Sequence, residues 1–511
     1  MLLFSLYFLV IVVLILFLII YWKLIYSEKR KYKLLRAQGI ASEPFVPLIG
    51  QITRLFRYRE ADHIMGFYEE LIEKHGHVFV FGYGPLTRLF INEPDLLADV
   101  LSRNNGQYYT KPEMTGTVFS PIMGRHNLLV AEGAEHERAR RMINPAFHHT
   151  NLKAMICIIT DRIDKTIESI FRESDEKQVD LQVLFNTLTL SIIVSSAFGT
   201  DFETNPQARD IMSRVLDEAL AAVIYRTLRM VNQIPLLSRL PFWKKDVIDR
   251  GGEIIGKFVD QTIIDRRQGR STSMSNGPDL LDLLLSTVDD NGQPFTDQEI
   301  KEQALTFVVA GSETTGTLMT WLFYILMTHD DVLQACQEEV ERILPNGLQP
   351  SNEHLPNLII CEAIINEALR LYPPATVVVR RCIHEHTIGT ERPVRVPVGT
   401  EISLNTYTLH RRSDLWPRAL EFDYTRWLRD PKTGLKPKLP HPFAYLPFVA
   451  GPRNCIGQTF ALLEAKLILA MFVQRCHFQM ISGQKIVPDI QVTLRTKYGL
   501  QAKISQRRAL S

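Results

Sequence analysis

Cys455 sits in the stretch Phe448-Val-Ala-Gly451-Pro-Arg453-Asn-Cys455-Ile-Gly457, which leads straight into an apolar helical segment from Thr459 to Phe472. Most single cysteines of an intracellular chain are inert core residues. This one lies in a loop, with Gly451 four positions before it and Gly457 two after. Glycines there let the backbone approach a flat ligand and turn amides towards the sulfur. The helix beyond presents the positive end of its dipole to a negative charge. These features favour a thiolate over a thiol. A thiolate held by backbone amides is what haem iron needs as an axial ligand, because it pushes electron density towards an oxygen on the opposite face.

The run Ala310-Gly311-Ser-Glu313-Thr314-Thr315 is the second place where residue types suggest chemistry. Thr296-Asp-Gln-Glu299 is a capping box and predicts a helix from Asp297 to about His329. Its middle breaks helix rules: Gly311 costs about 1 kcal/mol relative to alanine. Apolar flanks on both sides imply burial, and a buried acid beside a buried hydroxyl needs an explanation. Reductive activation of oxygen supplies one, since two protons must reach the oxygen before its O–O bond breaks. Thr314 is placed to hold a proton nearest the oxygen and Glu313 to relay it from solvent. Gly311 would let the helix approach the haem face.

Glu367 and Arg370 stand at i and i+3 on a helix ended by Leu371-Tyr-Pro373-Pro374. On an exposed helix such a pair is worth a few tenths of a kcal/mol. Its meaning depends on burial.

Taken together, A-G-S-E-T-T, E-x-x-R and F-x-x-G-x-R-x-C-x-G, in this order along the chain, resemble the cytochrome P-450 family of haem-thiolate monooxygenases. The resemblance covers nearly the whole chain after residue 22. It implies a mainly α fold with small β-sheets, haem b ligated by Cys455, and O2 with NADPH-derived electrons as co-substrates. Phe448, Gly451 and Gly457 would shape the haem loop. Arg453, Arg380, Arg140 and His136 would meet the haem propionates, His136 standing where the family commonly has tryptophan and making that contact pH-sensitive. Glu367, Arg370 and Arg426, the last in Phe422-Asp-Tyr-Thr-Arg426-Trp427, would form a structural ion-pair group. Arg138, Arg141, Lys436, Lys438 and Lys466 would offer a basic face to an acidic electron donor. No G-x-G-x-x-G is present, so electrons are expected from a separate NADPH-cytochrome P-450 reductase, with cytochrome b5 as a second donor. A peroxide isomerase or dehydratase of the same family, and a haem-binding membrane protein without catalysis, are the alternatives. The substrate pocket is expected from Phe119 to Leu129, Phe307, Ala310, and Ala375 to Val379. These are largely apolar and suit a lipid, sterol or xenobiotic.

The elements that must position these residues are set by the bulk pattern. In 511 residues there is no linker that divides the chain, so a single catalytic domain is expected over 52–511. A net charge of +2 argues against a nucleic-acid partner. Six cysteines without paired spacing fit a reducing compartment. Leu2 to Trp22 carries no charged side chain, and as a helix it would span about 30 Å, the thickness of a bilayer core. Lys23, Lys29, Arg30, Lys31, Lys33 and Arg36 follow. Residues 1–22 therefore read as a single-pass transmembrane signal anchor, in the endoplasmic reticulum membrane, with the catalytic domain cytosolic. Residues 23–51 read as a basic, proline-containing linker. His77 to Ile91 reads as a hairpin, and Arg266 to Pro278 as a surface loop.

Overall fold

The computed structural model describes residues 2–507 apart from 103–104, 173, 200–210, 229–237, 239 and 275–276. Helix α1 (Leu2–Ile20) exposes apolar side chains such as Phe4, Tyr7, Phe8 and Leu18. A wider π-helical turn at Tyr21–Tyr26 joins it to α2 (Ser27–Arg36). Tyr32 and Leu35 of α2 are buried, and Glu28 accepts a hydrogen bond from the Thr87 amide at 2.8 Å.

The largest sheet has six strands: β1 (Ala41–Ser42), β2 (Val78–Tyr83), β3 (Leu86–Ile91), β4 (Tyr109–Thr110), β5 (Val377–Cys382) and β6 (Glu401–Asn405). Their order is β1-β2-β3-β6-β5-β4. The hairpin expected at 77–91 is β2–β3, with Val80 opposite Leu89, and its turn uses Gly84 at a φ of 59°. Strand β3 runs parallel to β6 and β6 antiparallel to β5. Alternate residues of a strand share a face, so β5 turns Val378 and Arg380 the same way.

The rest of the chain is mainly helical. The helices that build the site are α3 (Gly133–Ile143), α4 (Leu181–Phe198), α5 (Lys245–Arg267), α6 (Asp297–Thr328), α7 (Ile359–Leu371) and α8 (Gln458–Arg475). Helix α6 begins with the expected capping box: Thr296 Oγ1 accepts from the Glu299 amide at 3.2 Å, and Glu299 accepts from the Thr296 amide at 2.8 Å. It is buried over most of its length, and the Phe185–Phe323–Phe472 ring contacts tie α4, α6 and α8 together at centroid distances of 4.8 to 6.0 Å. Burying one such ring is worth about 1.5–3 kcal/mol. Near the C-terminus β7 (Pro488–Ile490) and β8 (Leu494–Thr496) form a hairpin beside α6.

The segment expected as a surface loop from Arg266 is different at its start. Arg266 closes the last turn of α5 and is buried, with its guanidinium on Asp279 and Asp282. A charged side chain within a polar run gave no sign of that burial, because both of its partners come later in the chain.

Candidate active site

The cysteine loop is a tight structure. Gly451 has a φ of 77°, and a Cβ there would collide with the Leu101 carbonyl, so glycine is required twice over. The Cys455 amide donates to the Phe448 carbonyl at 3.0 Å and the Asn454 amide to the Gly451 carbonyl at 3.1 Å. Helix α8 starts at Gln458. Cys455 is exposed, yet it lies deep in the protein, and the surface it shows is the wall of an internal cavity of about 360 Å³. Burial raises its pKa, while the Gly457 amide and the Arg140 charge act the other way. A coordinated metal cation would favour the thiolate over the thiol there.

Ala310, Gly311, Thr314, Thr315 and Leu318 of α6 line the same cavity as Phe448, Cys455, Gly457 and Ala461. Thr314 Oγ1 donates to the Ala310 carbonyl at 2.8 Å, leaving its oxygen free to accept. A Cβ on Gly311 would stand 3.0 Å from Ile193 Cγ1. Its missing side chain thus lets α6 pack closely on α4, while Gly311 also lines the cavity. Glu313 does not line the cavity. Its carboxylate accepts from Thr493 Oγ1 at 2.6 Å and Arg495 Nε at 2.5 Å, both from the β7–β8 hairpin.

At the cavity's polar end, α3, β5 and the cysteine loop bring His136, Arg140, Arg380 and Arg453 together with Lys111. The two forks on the loop side are already engaged. Arg140 donates to the Asn454 carbonyl at 2.7 Å and to Asn454 Oδ1 at 2.8 Å, while Arg453 donates to the Ala131 carbonyl at 2.7 Å and pairs with Glu132. Arg380 and Lys111 differ. Among the described residues neither has a carboxylate in ion-pair contact. Burial, then the neighbouring Arg453 charge, lowers the Arg380 pKa to about 10. Burial, then Arg380 and Arg453, lowers Lys111 to about 7. Desolvation and the surrounding cations depress His136 to about 3, so it is neutral near pH 7 and does not titrate there. Two buried cations, Arg380 and Lys111, beside Arg453 and without a carboxylate of their own are costly. Two carboxylates on a flat apolar ligand would relieve that cost, and the cavity between α6 and Cys455 accepts such a ligand. The residues present fit haem.

Glu367 and Arg370 are fully buried. Arg370 donates to both Glu367 oxygens, at 2.9 and 2.8 Å, and to the carbonyls of His410, Ala419 and Glu421. Arg426 Nε donates to Glu367 Oε1 at 3.3 Å, and Trp427 Nε1 donates to Glu367 Oε2 at 2.8 Å. None of these lines the cavity. The supposed basic face is partly self-neutralised: Arg138 pairs with Asp289 and Glu299, Arg141 with Asp290, and Lys436 and Lys466 share Glu362. Lys438 is exposed. Of the expected substrate wall, Leu128, Leu129, Phe307, Ala310, Ala375 and Val378 face the cavity. Lys111, Glu132, Thr493 and Arg495 were missed. Each is an ordinary polar residue in sequence, and no local spacing marks them.

Residues 41–503 match the family model for cytochrome P450. The chain is 28% identical to cytochrome P450 734A1 of Arabidopsis thaliana, covering 92% of this chain and 90% of the relative. It is also 28% identical to cytochrome P450 3A12 of Canis lupus familiaris, covering 87% and 86% respectively. In fold it resembles the crystal structure of the cytochrome P450DA heme domain, with a TM-score of 0.77 at 24% identity, covering 92% of this chain and 98% of that one. The chain therefore belongs to the cytochrome P450 family and is a monooxygenase that works with thiolate-ligated haem b, O2 and NADPH-derived electrons.

Proposed function

We propose that this chain oxidises an apolar substrate (a lipid, sterol or xenobiotic) in a reaction that places one atom of O2 in the product and the other in water. The carrying observation is that a single apolar-walled cavity has Cys455 on one side and Thr314 on the other. Bound haem supplies the activation of O2. Cys455 would be its axial ligand, and Arg380, Lys111, Arg140, Arg453 and His136 would surround its propionates. Thr314 holds a proton at Oγ1 beside the reacting oxygen. Glu313 replenishes it from the solvent side, where Arg495 is partly exposed.

Electrons reach the site from a separate NADPH-dependent flavoprotein reductase, with cytochrome b5 as an auxiliary donor, since the chain lacks a nucleotide loop of its own. The exposed apolar helix α1, followed by basic residues, supports a single-pass anchor in the endoplasmic reticulum membrane with the catalytic domain cytosolic. Among the searched residues, Leu181–Phe198 is also apolar enough to span a bilayer, but it is a buried core helix, 67% enclosed.

The test is the carbon monoxide difference spectrum of the reduced protein beside that of Cys455→Ser. A strongly red-shifted Soret band, lost in the variant, supports the assignment of Cys455. A band at the position of histidine-ligated haem overturns it.

A further inference from the structure

Seven serine and threonine side chains lie on α6. Five of them, those of Thr306, Ser312, Thr314, Thr320 and Thr328, donate to the carbonyl four residues back at 2.8 to 2.9 Å. Thr317 bonds to Thr493 instead, at 2.8 Å. Thr315 does neither: its oxygen is buried and makes no hydrogen bond of normal geometry. With Thr306 and Thr314 it is one of three of the seven that line the cavity beside Cys455, and of those three it alone lacks a hydrogen bond of normal geometry.

Facing Thr315 is Glu464 of α8, which is 0% exposed and has neither carboxyl oxygen engaged elsewhere. An isolated carboxylate in such a place is prohibitive, whereas a neutral carboxyl can donate its proton to a neighbouring hydroxyl. Burial pushes the Glu464 pKa well above the carboxylate range, and Thr315 is the polar group that acts on it in the opposite direction. The neutral carboxyl is thus the form that this burial favours. Removing a hydroxyl from its helix carbonyl and leaving a carboxyl without a counter-charge are two separate costs, and both fall on the same pair.

We propose that Glu464 and Thr315 form a second proton-holding pair at the cavity wall, supplying the reduction of oxygen separately from Glu313. The proposal rests on the monooxygenase reading, in which each turnover consumes two protons and two electrons. The O–H bond of Glu464 breaks as a new O–H bond forms at Thr315 Oγ1, and the original hydroxyl proton of Thr315 passes to the oxygen that becomes water. The electrons come from NADPH. Glu464 is left as a short-lived carboxylate until water entering the cavity returns a proton along the same two groups. Glu464 acts only through Thr315 and is a positioning and proton-storing residue.

Two measurements on the full-length holoprotein test this. The first is infrared spectroscopy at neutral pH: a carbonyl stretch of a protonated carboxyl should be present, vanish in Glu464→Gln and shift in Thr315→Val. No such band lost in Glu464→Gln overturns the proposal. The second compares NADPH oxidation, with reductase added, against oxidation of guaiacol driven by hydrogen peroxide, which brings its own protons. In Glu464→Gln, four-electron reduction of O2 to water should fall at least about 10-fold, less than the roughly 10²-fold of a sole general acid because the Glu313 route remains. Peroxide release should rise and the peroxide-driven reaction should be unchanged. Equal loss of both reactions would mean a purely packing role and would overturn the proposal. Thr315→Val, a near-isosteric change, should reproduce the pattern if Glu464→Gln folds poorly. Failure of the wild-type carbon monoxide spectrum would instead defeat the haem-thiolate assignment, a result the infrared band does not depend on.

Discussion

Arg495 forks onto Glu313, its Nε 2.5 Å from Oε1 and its Nη2 against Oε2, across a chain separation of 182 residues. The acid at the centre of α6 is thereby tied to the β7–β8 hairpin, with Thr493 completing its shell. Both charged side chains are largely enclosed, at 8% and 22% exposure.

Breaking that pair from one side leaves an uncompensated charge. Arg495→Gln should cost about 3 kcal/mol, the low end for a buried pair because Arg495 keeps some solvent contact. Denaturant unfolding of the two single variants and of Glu313→Gln with Arg495→Gln measures it. The double variant should be less destabilised than the sum of the singles; simple additivity would mean the two side chains do not interact.

Arg370 uses all five of its N–H donors, on Glu367 and three carbonyls. Lysine has three donors and no planar fork. Arg370→Lys should therefore strand buried acceptors and lose about 3 kcal/mol or more, seen as a lower denaturation midpoint and weaker haem retention. A wild-type midpoint would show that the carbonyls find other donors.

The depressed Lys111 gives haem binding a pH dependence. In the apoprotein its pKa is about 7, so above that pH it is largely neutral. An anion beside it raises the pKa, so binding takes up a proton once the pH exceeds about 7. Haem affinity of the apoprotein should fall as pH rises from that point, by at most about tenfold per pH unit. Lys111→Met should flatten the dependence, and titration of apoprotein with haem at several pH values reads it directly. His136, depressed to about 3, contributes nothing to this window.

Helix α1 exposes a continuous apolar surface. Deleting residues 2–22 should move the protein from the carbonate-resistant membrane fraction towards the soluble one while leaving its carbon monoxide spectrum unchanged. Loss of the spectrum would mean that the helix supports the haem domain itself.

What the sequence determined by itself was local. The loop around Cys455, the capping box at Thr296 and the i, i+3 placement of Glu367 and Arg370 each lie within a turn or a single loop, where spacing translates directly into geometry. The β2–β3 hairpin was legible for the same reason, since its alternation and its glycine turn lie side by side in the chain. The tertiary structure decided what those groups face. Lys111 and Glu132 meet Arg453 only after β4, α3 and the cysteine loop converge, and Arg495 finds Glu313 only when the last hairpin packs on α6. Whether a charged residue ends up in a buried ion pair, an anion site or open solvent depends on partners hundreds of positions away. Gly311 shows the limit most plainly: its break in a helical run was visible, but the side chain it makes room for, Ile193 of α4, is chosen by helix packing alone.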